Sequence, residues 1–173
     1  GFMLKLILSA LYFFLPAYLA NMMPIFTKKI PMLNYPIWEE GCGKNKTWRG
    51  LVSAVLAGII VFSIQKYAYQ QGFTSLALID YSGFSVLLGA LLGGGAIFGD
   101  LVESYFRRKQ GIKPGERWLF WDQLDFVFGA LLFSCVLYVP PAEVVLILIV
   151  VSPILHILSN HLGYLLKIRD VKW

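Results

Sequence analysis

Asp100 and Glu103 stand three residues apart, and Asp122 and Asp125 repeat that spacing further along the chain. On a helix each pair shares a face, with Ser104 beside the first. Between the pairs run Arg107-Arg108-Lys109 and a Lys113-Pro114-Gly115 turn. Carboxylates are the hard oxygen donors that suit Mg²⁺, whose remaining positions are commonly filled by substrate phosphates. Lysine and arginine are phosphate ligands, arginine in a two-pronged way. A second basic cluster, Gly43-Lys44-Asn45-Lys46-Thr47-Trp48-Arg49-Gly50, has the same character. The chemistry these residues could do is metal-assisted handling of a phosphorylated substrate.

The elements that would position them are membrane helices. The chain of 173 residues is 58% hydrophobic and 14% charged, with a mean hydropathy of +0.68, whereas soluble domains carry roughly a quarter charged residues. The expected fold is all-α, a polytopic integral membrane protein of one domain. Five spans of about 20 residues each fill the sequence: about 3–22, 51–70, 84–106, 118–138 and 144–166, with polar loops at about 23–50 and 107–117. Pro16 and Pro153 are expected to kink the first and last spans. The first apolar segment is long enough to span and no small-residue cleavage site follows it, so no cleavable leader is expected. Cys42 and Cys135 fall far apart, and no disulfide is expected.

Five spans put the two loops on one side, together with the C-terminus. Thirteen of the fifteen lysines and arginines fall on that side, leaving only Lys5 and Lys66 for the other. By the positive-inside rule the basic side is cytoplasmic and the N-terminus is outside. A multi-pass protein of the cell membrane, with its polar site open to the cytoplasm, is the expectation.

Each feature also has a plainer reading. An ionised carboxylate within a bilayer costs about 2.5–3.5 kcal/mol on insertion scales, so the acids could be paired with Arg107, Arg108 and Arg117. Glu103 in particular reads equally as the partner of a basic neighbour. The basic clusters alone are ordinary positive-inside flanks. Gly89, Gly93, Gly94, Gly95 and Gly99 could pack helices closely or let backbone approach a nucleotide near Asp100. Trp48, Tyr105, Trp118 and Trp121 read as an interfacial belt, and His156 and His161 as packing residues. No nucleic-acid partner is expected.

A small transporter using intramembrane acids is the competing class, although the acids cluster at one end of their spans and no inverted repeat is visible. A CDP-alcohol phosphotransferase would continue Asp122-Gln123-Leu124-Asp125 with a Gly-x₂-Ala-Arg run that this chain lacks.

The pieces GKNKTWRG at 43–50, GDLVESYFRRKQGIKPGERW at 99–118 and DQLDFVFGAL at 122–131 resemble the CDP-archaeol synthase family, archaeal relatives of the phosphatidate cytidylyltransferases. The resemblance covers nearly the whole chain. It implies transfer of CMP from CTP to 2,3-bis-O-(geranylgeranyl)-sn-glycerol 1-phosphate, an isoprenoid glycerol-phosphate lipid of the bilayer, with release of pyrophosphate and with Mg²⁺ as cofactor. It makes Asp100, Asp122 and Asp125 the metal-binding and catalytic acids. Lys44, Lys46 and Arg49 would contact the nucleotide phosphates. Arg107, Arg108 and Lys109, with Gly99 and Ser104 in the same block, would complete the phosphate site. No motif assigns the cytosine-binding residues.

Overall fold

The computed structural model describes residues 1–113, 116, 118 and 121–168. Arg117, Arg169 and Lys172 of the basic side and the Pro114-Gly115 turn lie outside the described residues. The described residues are helical with no strand. The elements are α1 (Phe2–Phe13), α2 (Leu15–Phe26), the short α3 (Glu39–Cys42), α4 (Trp48–Gln70), a 3₁₀ turn at Tyr81–Gly83, α5 (Leu87–Lys109), α6 (Trp121–Ser134) and α7 (Ala142–Leu165).

The first expected span is two helices meeting at 48°. The break falls at Phe14 and not at Pro16 itself. Pro16 occupies the first turn of α2, where a missing N–H breaks no hydrogen bond. Phe14 is fully buried and meets Tyr18 and Phe126 edge-on or tilted, with ring centres 5.2 and 6.3 Å away. The bend is thus held from both sides, by the chain and by the core.

Three helices, α4, α5 and α7, are individually long and apolar enough to cross a membrane, and the bent α1–α2 pair passes as a fourth span. The expected span at 118–138 is helical over Trp121–Ser134, 14 residues, or about 21 Å at 1.5 Å per residue. The chain leaves it through Pro140-Pro141 before α7 begins. Lys66, near the end of α4, donates to the carbonyl of Phe84 at 2.9 Å.

α5 lies between α4 and α6, and its glycines face both. A Cβ on Gly93 would come within 2.7 Å of the Ala54 carbonyl on α4. On the α6 side, a Cβ on Gly95 would sit 2.8 Å from Phe133 Cβ, and one on Gly99 would sit 2.9 Å from the Asp125 carbonyl carbon. Such contact brings backbones together as small residues do between membrane helices. α2 packs on α4, α5 and α6, whereas α7 packs on α6 and α1. Among the described residues α2 and α7 meet through the Tyr18–Ser152 hydrogen bond of 2.7 Å, while their backbones stay apart.

Candidate active site

Asp100 and Glu103 lie in the last ten residues of α5, and Asp125 in the second turn of α6. The Gly99 crossing draws these turns together, because Gly99 rests on the backbone of Asp125. One carboxylate oxygen from each of Asp100, Glu103 and Asp125 lies within 4.8 Å of the others. Glu103 is 6% exposed and Asp125 is 9% exposed. Asp125 accepts the N–H of Phe126 at 2.6 Å, which fixes its rotamer.

Two cations meet this cluster. Lys46 Nζ lies 2.6 Å from Asp100 Oδ2. Arg107 sits 3.4 Å from Glu103 and 3.3 Å from Asp122, and also donates to the carbonyl of Glu116. Burial works against a charged Lys46, but Asp100, with Asp125 and Glu103 behind it, outweighs that and holds its ammonium above the usual lysine range.

Lys46 reaches the site from a loop that is fastened to itself and to α5. Ile37 N–H donates to the Lys46 carbonyl at 2.8 Å, Trp48 N–H to Tyr35 at 3.0 Å and Arg49 N–H to Leu33 at 2.9 Å. Gly43 turns the chain at φ +92°, a conformation glycine adopts without steric cost. Trp38 stacks on Tyr105 of α5 with centres 5.5 Å apart, and the thiol of buried Cys42 points to the Leu101 carbonyl at 3.5 Å. Both cysteines are free. Thr47 then starts α4 by accepting the Gly50 N–H at 3.2 Å, the usual role of threonine at a helix start.

Asp122, expected beside Asp100 and Asp125, has a different engagement. It accepts the Trp118 N–H at 2.9 Å at the start of α6 and pairs with Arg107. The acid that completes the close group is Glu103, which has Arg107 as neighbour as well. Four carboxylates here face two cationic side chains, an excess of two negative charges when all are ionised. The three clustered donors are all oxygen, with no imidazole or thiolate among them. A hard divalent cation fits that set.

Of the expected phosphate ligands, Lys46 and Arg107 line the cavity above the cluster. The others are placed elsewhere. Lys44 and Lys109 are exposed, the latter 6.0 Å over the Tyr105 ring. Arg49 holds the Ile30 carbonyl and Arg108 the Ile112 carbonyl. Ser104 is fully buried and lies off the cavity. Gly99 serves the α5–α6 crossing.

The cavity has a volume of about 710 Å³. The carboxylates, Lys46 and Arg107 form its charged end, and Met22, Ile25 and Phe26 of α2 with Leu155 and Leu162 of α7 and Leu166 just after it supply apolar wall. Gln123, His156 and Asn160 also line it and were not singled out from the sequence as site residues. His156 and Asn160 are four apart and share a helix face. That spacing is the signal the sequence offers for them.

Comparisons with known proteins identify the family. The family model for CDP-archaeol synthase (CarS-like) matches residues 3–173. The chain belongs to the CDP-archaeol synthase family. A CDP-archaeol synthase of Methanospirillum hungatei is 35% identical over 169 residues, covering 92% of this chain and 99% of that one. One from Pyrococcus furiosus is 33% identical, covering 96% and 98%. A solved structure described as "structural insight into an intramembrane enzyme for archaeal membrane lipids biosynthesis" is 27% identical, with a TM-score of 0.70 over 89% of this chain and 94% of that one. As a CDP-archaeol synthase family member this is a membrane protein and an enzyme, a cytidylyltransferase.

Proposed function

We propose that this chain transfers CMP from CTP to 2,3-bis-O-(geranylgeranyl)-sn-glycerol 1-phosphate, giving the CDP-activated ether lipid and pyrophosphate. The observation that carries the reading is one cavity with two characters: a carboxylate cluster with Lys46 and Arg107 at one end, apolar helix walls at the other. A substrate with an anionic head and isoprenoid tails matches both ends. The triphosphate matches the charged end alone.

The lipid phosphate is a monoester whose second pKa is near ~6, so at neutral pH it is largely dianionic. Its oxygen attacks the α-phosphorus of CTP. The bond from that phosphorus to the oxygen bridging to the β-phosphate breaks, and pyrophosphate leaves with the electron pair. No proton has to be removed, so no Ser/His pair is called for. The obstacle is anion meeting anion, and positioning with charge stabilisation overcomes it in such transfers. Asp100, Glu103 and Asp125 would hold Mg²⁺, with Asp122 keeping Arg107 beside them. When bound, the metal neutralises the triphosphate and polarises its α-phosphoryl group. Lys46 and Arg107 bind the phosphates, while Lys44, Arg49, Arg108 and Lys109 lie off the cavity and add positive charge to the same side of the protein.

The finer topology is part of the same proposal: five membrane segments counting the bent α1–α2 pair and the short α6, the N-terminus outside, and the site open to the cytoplasm, where CTP is found. The acids gather toward one end of α5 and the start of α6, which favours an interfacial enzyme over a carrier with a midplane site.

The test mixes purified protein with labelled CTP, Mg²⁺ and a panel of lipid phosphates. A CDP-lipid formed only with a lipid phosphate present is the expected product. Absence of that product with every lipid phosphate, from protein that is folded, would defeat the proposal.

A further inference from the structure

One face of α7 changes character along its length. Val144 and Leu148, which begin the i, i+4 row that continues through Ser152 and His156, are fully buried in the core. From Ser152 onward the same face turns polar: Ser152, His156, Ser159, Asn160 and Gly163 fall within an arc of about 100° at 3.6 residues per turn. All five line the cavity. Apart from Glu143, His161 and Tyr164 the rest of α7 is apolar, and Leu146, Val150, Ile154 and Leu158 are exposed as a lipid-facing surface would be. Polar side chains in a span face protein or a water-filled cavity, and they mark substrate paths. Here they start at the depth where the cavity starts.

The cavity floor is built from both sides. Tyr18 of α2 and Ser152 of α7 share a hydrogen bond of 2.7 Å, and His156 stands edge-on to Phe126 at 6.0 Å. Beyond this floor the backbones of α2 and α7 stay apart and the cavity lies between them. The α2 side of that gap is mostly apolar, through Met22, Ile25 and Phe26, with Asn21 as its polar member.

We infer that this α7 face is the seat of the lipid substrate's headgroup. The inference rests on the proposed reaction and adds to it the residues that recognise the acceptor. His156 and Asn160 offer N–H donors and Ser159 a hydroxyl to a phosphate monoester and its neighbouring glycerol ether oxygens. The two apolar chains leave through the α2–α7 gap. Hydrogen-bond donors beside apolar walls suit a ligand with a phosphate head and apolar chains. The triphosphate is instead met by Lys46 and Arg107, which come from the loop and from α5.

The experiment uses the full chain, purified, with His156→Leu, His156→Gln and Asn160→Leu variants. KM for the lipid phosphate is measured alongside CTP affinity by calorimetry in Mg²⁺. His156→Leu and Asn160→Leu are each expected to raise the lipid KM about tenfold, as loss of a hydrogen bond to a charged group would, with CTP affinity unchanged. His156→Gln, which keeps a donor, is expected to recover most of the loss. An unchanged lipid KM in both leucine variants overturns the inference, and so does a loss confined to CTP affinity, which would assign the face to the nucleotide. Should a leucine variant not fold, Ser159→Ala and His156→Gln are read in its place, by the same two constants. Binding of the labelled lipid phosphate without CTP separates the two ideas. Binding that depends on His156 in a protein forming no CDP-lipid would sink the reaction and leave the seat standing.

Discussion

Asp125 is the side chain on which the carboxylate cluster turns, since it alone comes from α6 and it is held by the N–H of Phe126. Asp125→Asn keeps the shape and removes one charge. Transfer is expected to fall by more than about 100-fold, the scale of losing one preorganised electrostatic group, with the thermal unfolding midpoint little changed. Activity close to wild type would remove Asp125 from the site. Lys46 makes a sharper case because its two roles oppose each other. It neutralises Asp100 now and would meet the triphosphate later. Lys46→Ala is expected to weaken CTP binding about tenfold, as loss of a charge-assisted contact would, and to tighten binding of the divalent cation alone. Calorimetry with Mg²⁺, then with CTP, reads both signs, and a variant that binds each ligand as wild type does refutes the pairing. Asp100, Asp125, Lys46 and Arg107 were legible in the sequence because charge in an apolar chain is conspicuous. The exchange of Glu103 for Asp122 was not legible, since it depends on where α6 starts and how it is rotated against α5. Nor does a count of cations tell direction: Arg49 and Arg108 are spent on the carbonyls of Ile30 and Ile112.

At the scale of elements, α5 is built to be approached from two sides, and its neighbouring glycines have opposite mutational signs. A Cβ on Gly94 would meet Val55 at 3.6 Å, an ordinary contact. Gly94→Ala is expected to be neutral or to stabilise by up to about 1 kcal/mol, since alanine favours helix. A Cβ on Gly95 would press on Phe133 and Ala130 at 2.8 and 2.9 Å. Gly95→Ala is therefore expected to destabilise by about 1–3 kcal/mol, the usual cost of overpacking, and to lower transfer by shifting Asp125 against Asp100. Unfolding midpoints in one detergent compare the two, and equal midpoints would contradict the crossing. The small-residue spacing announced helix packing from sequence, but which glycine faces which helix came only with the fold. The helix ranges were legible for the same reason that the acids were, through long apolar runs. The bend in the first run was legible from Pro16, which cannot donate to the Tyr12 carbonyl that Gln65 takes instead, though its place at Phe14 came only with the fold.

Over the whole molecule, the site couples segments that lie far apart in sequence. Lys46, before α4, touches Asp100, near the end of α5. The loop at 27–47 and the end of α5 must therefore sit on one side of the membrane. Crossing once through α4 and once back through α5 satisfies this, and the turn containing Gln71 must then lie on the other side. The basic residues choose which side is which. In a background with Cys42 and Cys135 replaced by serine, single cysteines are placed at Lys29, Gln110 and Gln71, all exposed positions. A membrane-impermeant maleimide added outside intact cells is expected to label Gln71→Cys and to spare Lys29→Cys and Gln110→Cys until the membrane is opened. The reverse pattern would keep the site and invert the protein, leaving CTP on the wrong side. Labelling of Lys29→Cys and Gln110→Cys from opposite sides would be more damaging. It would separate the lysine from the carboxylates, and with them the charged end of the cavity on which the reaction depends.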